Sequence, residues 1–175
     1  MPLTKFEPNM QFEPYRQFDS DTEFGANSTF GANTSFGTNT KFGADATFET
    51  NTQFSNDTTF GANTTFGTDT KFGKNTEFGE NTFFGSNPQF DENTTFGANT
   101  NFGSDIQFAT NSNFGNNTAF GSNISFGACT QLGNDTTFGP NTRFGGSTRF
   151  GRNSLFLSKT GQGLFLEYCV ACTKL

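Results

Sequence analysis

A phenylalanine recurs at every sixth position from Phe18 to Phe156, and the same grid reaches back through Phe12 to Phe6. Leu132 is the single departure, and it keeps the position apolar. Of the 27 Phe in the chain, only Phe83 and Phe165 stand off the grid. A helix turns once in about 3.6 residues, so a strict six-residue period would scatter these side chains round its surface. A strand followed by a corner accommodates the period, because side chains alternate across a strand. Fixed-period self-similarity of this kind marks a solenoid.

The other positions of the hexad follow from that assignment. With the Phe as position i, position i+1 is usually Gly, as in Phe24-Gly25 and Phe66-Gly67. Position i+3 is nearly always Asn or Asp, as at Asn27, Asn33, Asp45, Asn51 and Asn63. Position i+4 is small and mostly Thr, as at Thr34, Thr40, Thr52 and Thr64. Two residues later comes the next Phe, so both share the inward face of one strand, and the variable residue between them points out. Position i+1 tolerates Glu49, Ser55, Asp91 and Ala109, whereas i+3 lapses only rarely, to Cys129 or Ser147. Asn and Asp enter the left-handed region more readily than other non-glycine residues. The left-handed corner is therefore expected at i+3, with the Gly at i+1 giving room beside a bulky Phe. On this reading Asn63→Ala costs more than Gly61→Ala.

The segment Phe30-Gly31-Ala32-Asn33-Thr34-Ser35 resembles, residue for residue, the hexapeptide repeat of left-handed parallel β-helices, with Phe standing for the aliphatic residue. The resemblance covers residues 18–156. It implies an all-β, single-chain, triangular parallel β-helix, left-handed, with three hexads or 18 residues per coil and about eight coils. Phe in place of an aliphatic residue widens the interior, and a right-handed triangular solenoid is the alternative. Three columns of stacked Phe should run inside, with inward Thr hydroxyls bonded along their column or to backbone.

Three regions are expected. Residues 1–23 keep the Phe grid but bring in Glu7, Pro8, Glu13, Pro14 and Asp19, with Arg16 at a nominally inward position. They read as a distorted N-terminal coil that caps the open end, since solenoid ends are unpaired strand edges. Residues 24–156 are the regular body, with a local flaw expected at Pro88, which lacks an amide donor. Residues 157–175 leave the grid and read as a C-terminal cap: a turn over Leu157–Gly163, then an apolar strand or short helix over Leu164–Val170.

A net charge of −6 and a pI near 4.5 argue against nucleic acid as a partner. A hydrophobic content of 31% is low, but its concentration in one residue type at one period builds a core rather than a disordered chain. Disordered nucleoporin repeats also carry Phe-Gly pairs, yet with spacers of variable length. The N-terminus has no apolar run of the kind a signal peptide needs, so a cytoplasmic or virion location is expected. No segment is long and apolar enough to suggest a membrane partner. Triplets such as Asn27-Ser28-Thr29 and Asn63-Thr64-Thr65 match glycosylation sequons but arise from the repeat itself.

Catalytic chemistry finds little to work with. The chain has no His, so the His base of hexapeptide acyltransferases and the zinc ligands of carbonic anhydrases of that fold have no counterpart here. Cys169-Val170-Ala171-Cys172 is a lone CxxC without the second pair a zinc site needs, and Cys129 stands far from it. No enzyme activity, cofactor or metal is expected.

The outward residue of every third hexad falls on one face. One face carries Glu23, Lys41, Glu77 and Arg149; another carries Lys71 and Arg143. The remaining face reads Thr29, Thr47, Thr65, Phe83, Asn101, Ala119, Thr137 and Leu155, and is uncharged. Phe83 is the one outward Phe of the body, and exposed apolar surface often marks a contact. Residues Thr29 to Thr137 of this row are the candidate contact face, for a protein partner or a second copy. Three functions compete: a structural rod in a virion, fibre or filament, whose repeat style resembles phage and prophage products; an ice-binding protein using the Thr-rich face; and a phage-encoded inhibitor of a host protein.

Overall fold

A computed structural model describes residues 3–157 and the backbone of 163–166. It is an all-β solenoid of about eight coils and 18 residues per coil, with three parallel sheets as its walls. Hexads in the regular coils contribute strands of two or three residues, except those ending at Leu132 and Phe150, which make single bridges. The first sheet has seven strands, from Thr4–Phe6 to Asn113–Phe114, and single bridges extend it through Gln131 to Arg149. The second has ten, from Gln11–Phe12 through Ser154–Leu157 to Gly163–Leu166. The third has eight, from Gln17–Phe18 to Arg143–Phe144. Registers advance by 18 residues, as in Phe60↔Phe78 and Phe66↔Phe84.

The core is a lattice of aromatic rings. Phe60 lies nearly parallel to Phe78 one coil above, with centroids 4.9 Å apart and planes 2° apart. It meets the next Phe along the chain, Phe66, edge to face at 4.9 Å and 89°. Each ring thus combines offset stacking along the axis with T-shaped contacts across it, the two arrangements the ring quadrupole favours, at roughly 0.5–1.5 kcal/mol per pair beyond burial. From Phe6 to Phe150 the grid makes eight coil steps, a rod about 40 Å long at strand spacing.

The inward Thr hydroxyls bond to backbone within their own corner. Thr64 Oγ1 donates to the Gly61 carbonyl at 2.9 Å, and Thr34 Oγ1 to that of Gly31 at 2.6 Å. Among the described residues no buried side-chain polar atom lacks a partner.

Every corner residue at i+3 takes a left-handed conformation, with φ of 58° at Asn63 and 59° at Asn33. The corner side chains form ladders down the rod edges: Asn63 Nδ2 donates to Asp45 Oδ1 at 3.0 Å, and Asn81 Nδ2 to Asn63 Oδ1 at 3.1 Å.

The glycine at i+1 has a different role from the one expected. None of these glycines needs a positive φ, and the space they leave belongs to backbone rather than to the Phe ring. A Cβ on Gly61 would lie 2.5 Å from the Ala44 nitrogen and 2.7 Å from the Gly43 carbonyl carbon, both in the coil beneath. Two of the four side chains at i+1 come with a longer inter-coil bond, while Glu49 and Ser55 keep bonds of 3.0 and 3.1 Å. The amide of Gly at i+1 reaches the Phe carbonyl below at 2.8–3.1 Å, whereas the bonds from Asp91 and Ala109 are 3.2 and 3.3 Å.

The flaw expected at Pro88 appears in the same place. The four longest of these inter-coil bonds, at 3.2–3.3 Å, are donated by Asn87, Asp91, Asn93 and Ala109. Asn87 stands at the corner before the third-sheet strand Gln89–Phe90, and Asp91, Asn93 and Ala109 stand at the corner after it, so the longer bonds flank that wall on both sides.

The N-terminal coil is more regular than its sequence. Asn9, Tyr15 and Asp21 take the corner conformation, with φ of 63°, 63° and 59°. Phe6, Phe12 and Phe18 stack on Phe24, Phe30 and Phe36 at 4.9, 4.8 and 5.1 Å. The departures lie in the side chains alone. Pro8 and Pro14 occupy i+2, whose amide the ladder does not use, and Arg16, assigned an inward position, is exposed. At the other end Gly163–Leu166 pairs antiparallel with Ser154–Leu157, with Leu155 opposite Phe165. The rest of the C-terminal segment expected as a cap, including Cys169 and Cys172, lies outside the described residues.

Candidate contact face

The candidate row is assembled by the second sheet. Its strands place Thr29 beside Thr47, Thr47 beside Thr65, Thr65 beside Phe83, Phe83 beside Asn101, Asn101 beside Ala119 and Ala119 beside Thr137. The period-two alternation explains why all of them point out: each is followed by an inward Phe, and a coil of 18 residues returns the same hexad position to the same wall. Leu155 continues the row beyond Thr137, and Gln11 precedes Thr29. Sequence reasoning began the row at Thr29 and missed Gln11, because the first hexads lack the Gly and Thr that mark the repeat.

Phe83 is 50% exposed, flanked by Thr65 and Asn101, with no charged residue in its row. Corner columns of Asn and Asp border the face on both sides, among them Asn63, Asn81 and Asn99 on one edge and Asn51, Asp69 and Asn87 on the other. The ladders fix these side chains, so the face is a flat strip with set borders.

The other two walls are charged. On the first, Lys5 Nζ lies 2.8 Å from a Glu23 carboxylate oxygen. The hydrogen bond from Lys5, with the charges of Lys5 and Lys41, holds the Glu23 carboxyl below the usual carboxylate range. At one corner Lys74 Nζ lies 3.2 Å from Glu92, and that hydrogen bond, the Glu92 charge and the nearby Asp91 raise the Lys74 ammonium. The third wall is a shallow polar trough along Gln53, Lys71, Gln89 and Gln107.

Among the described residues no group of His, Cys, Asp or Glu is placed to hold a metal ion. Cys129, the only described cysteine, is exposed at a left-handed corner. No helix of the described residues is long and apolar enough to cross a membrane. Among the described residues the exposed large apolar side chains are Phe83 on the candidate face, Leu3, Met10 and Tyr15 in the first coil, and Leu157. The chain matches no protein-family model, no curated protein and no solved structure.

Proposed function

We propose that the protein is a non-enzymatic structural or interaction element: a rigid rod of hexapeptide-repeat type, acting in an assembly such as a virion, fibre or filament. It makes its contact through the uncharged row centred on Phe83, with a second copy or with another protein of the assembly. The observation that carries this reading is the row itself, where an exposed aromatic side chain stands among Thr65, Asn101 and Ala119 with no charge to desolvate. Interface cores are depleted in charge and enriched in aromatic residues, and the other two walls carry Lys41, Glu77, Lys71 and Arg143. A strip whose backbone and borders are already ordered loses little entropy on docking.

Phe83→Glu tests it. The side chain points out, so far-UV circular dichroism should stay that of the wild type while sedimentation shows loss of self-association, or affinity capture shows loss of the wild-type partner. A variant that assembles and binds as the wild type does places the contact elsewhere. Ice binding is the second reading, favoured by the in-register run of Thr29, Thr47 and Thr65 at one coil spacing. Thermal hysteresis of the wild type, abolished by Thr47→Lys, is the result that would select it.

A further inference from the structure

The first coil holds three side chains at the position where most later hexads have glycine. Position i+1 directs its Cβ along the axis, toward the coil beneath. For Gly31, Gly43 and Gly61 that Cβ would fall 2.5 Å from a backbone nitrogen of the coil below. In the first coil these positions are Glu7, Glu13 and Asp19, all exposed. The corners Asn9, Tyr15 and Asp21 have the dihedrals of the regular coils, so the same backbone course aims these three side chains off the end of the rod. The interior exceptions Glu49, Ser55, Asp91 and Ala109 never number three in one turn. Even so, the inter-coil bond at Ala109 is stretched to 3.3 Å.

We infer that Glu7, Glu13 and Asp19 close the N-terminal edge against a second copy of this chain. The edge is otherwise adhesive. Among the described residues the amides of Glu7, Gln11, Glu13, Gln17 and Asp19 donate to no other coil, whereas the same hexad positions in later coils donate to the coil below. The half-covered rings of Phe6, Phe12 and Phe18 lie just inside them. Another copy meeting this edge through its own first coil would pair strands antiparallel about a two-fold axis, with Phe layers in contact. Six acidic side chains between the two edges hold the backbones apart. Head-to-tail stacking meets the same three side chains, and on the second sheet the strand Gly163–Leu166 already occupies the far edge. Self-association of the wild type is then confined to the sides of the rod.

The test is small-angle scattering and sedimentation of Glu7→Gly/Glu13→Gly/Asp19→Gly, made in the Phe83→Glu background so that the proposed side contact does not contribute. The expected result is a concentration-dependent dimer of about twice the rod length and unchanged width, with Phe83→Glu alone keeping the single length. The shape-conserving control Glu7→Gln/Glu13→Gln/Asp19→Asn should also keep the single length. A folded triple-glycine variant that stays at single length overturns the inference, as does end-to-end association of the amide control, which would make the barrier one of charge rather than of bulk. Should the triple variant lose the fold, Glu7→Gly/Glu13→Gly carries the same test, with weaker association expected and its absence equally decisive.

Discussion

Gly61→Ala separates two explanations for the glycine after each Phe. If glycine only makes room beside the ring, one methyl is nearly harmless. The geometry says otherwise: the new Cβ would sit 2.5 Å from Ala44 N, 2.7 Å from Gly43 C and 2.8 Å from Ala44 Cα. All three are backbone atoms of a coil already held at hydrogen-bonding distance, with Gly61 N 2.9 Å from Phe42 O. Ordinary van der Waals contact begins near 3.4 Å, so the coils must part by several tenths of an ångström. Ala109 shows one response, a bond of 3.3 Å above Asp91, whereas Glu49 and Ser55 carry a side chain at bonds of 3.0 and 3.1 Å. At Gly61 the ladder is tight, and overpacking of this kind costs about 1–3 kcal/mol. Asn63→Ala, which puts alanine at a φ of 58°, costs about 1–2 kcal/mol. Asn63→Gly, free of that strain, should cost less. The expected order therefore reverses the one read from sequence, with Gly61→Ala at least as damaging as Asn63→Ala. Urea denaturation followed by circular dichroism measures both. The slope must be compared as well as the midpoint, because a repeat array can unfold in parts. A Gly61→Ala protein indistinguishable from wild type would refute the steric account.

Two further outcomes follow from the core and from the first wall. Leu132 interrupts a column between Phe114 and Phe150, so Leu132→Phe should restore stacking with both and stabilise by about 0.5–1.5 kcal/mol, read from the same denaturation curves. Lys5→Met removes the hydrogen bond and nearest charge that lower the Glu23 carboxyl, so its titration, followed by NMR, should move up toward the ordinary value. Because that carboxyl is depressed in the folded state, its small contribution is present above the unfolded value of about 4.3 and is lost as pH falls through the lower folded one.

Most of the fold was legible because the period does two jobs at once. Six residues fix the alternation that buries Phe60 and Thr64 and exposes Thr65, and three hexads bring Phe83 above Thr65. The restriction of i+3 to Asn and Asp revealed the left-handed corner, since few other side chains tolerate that dihedral. The meaning of Gly61 was harder to read. Sequence shows that a position must be small, but the atoms that demand it belong to Gly43 and Ala44, a whole coil earlier, and lie along the axis rather than beside the ring. The first coil misled in the opposite sense. Tyr15 and Pro14 look irregular, yet the corner accepts Tyr at a φ of 63° and the ladder makes no use of the amide at i+2. The candidate face was legible as a row because register follows from the period. No partner was legible there, because Thr, Asn and Ala recognise no particular chemistry and Phe83 marks a place rather than a ligand.

The corner ladders give this rod a chemical clock. Where a corner asparagine stands above an Asn or Asp, it donates its amide to that side chain one coil below, so the ladder has a direction, and an aspartate can serve only as the acceptor. Asn39, Asn63, Asn75, Asn87, Asn123 and Asn153 each sit directly on an Asp, at 2.7–3.3 Å. Deamidation at any of them would remove a donor and leave two carboxylates facing each other across that gap, where like charges resist joint ionisation. Loss of one amide elsewhere breaks a single rung. Loss of one of these six turns a rung into a repulsion, so an aged sample should loosen first at these rungs, of which each edge carries two.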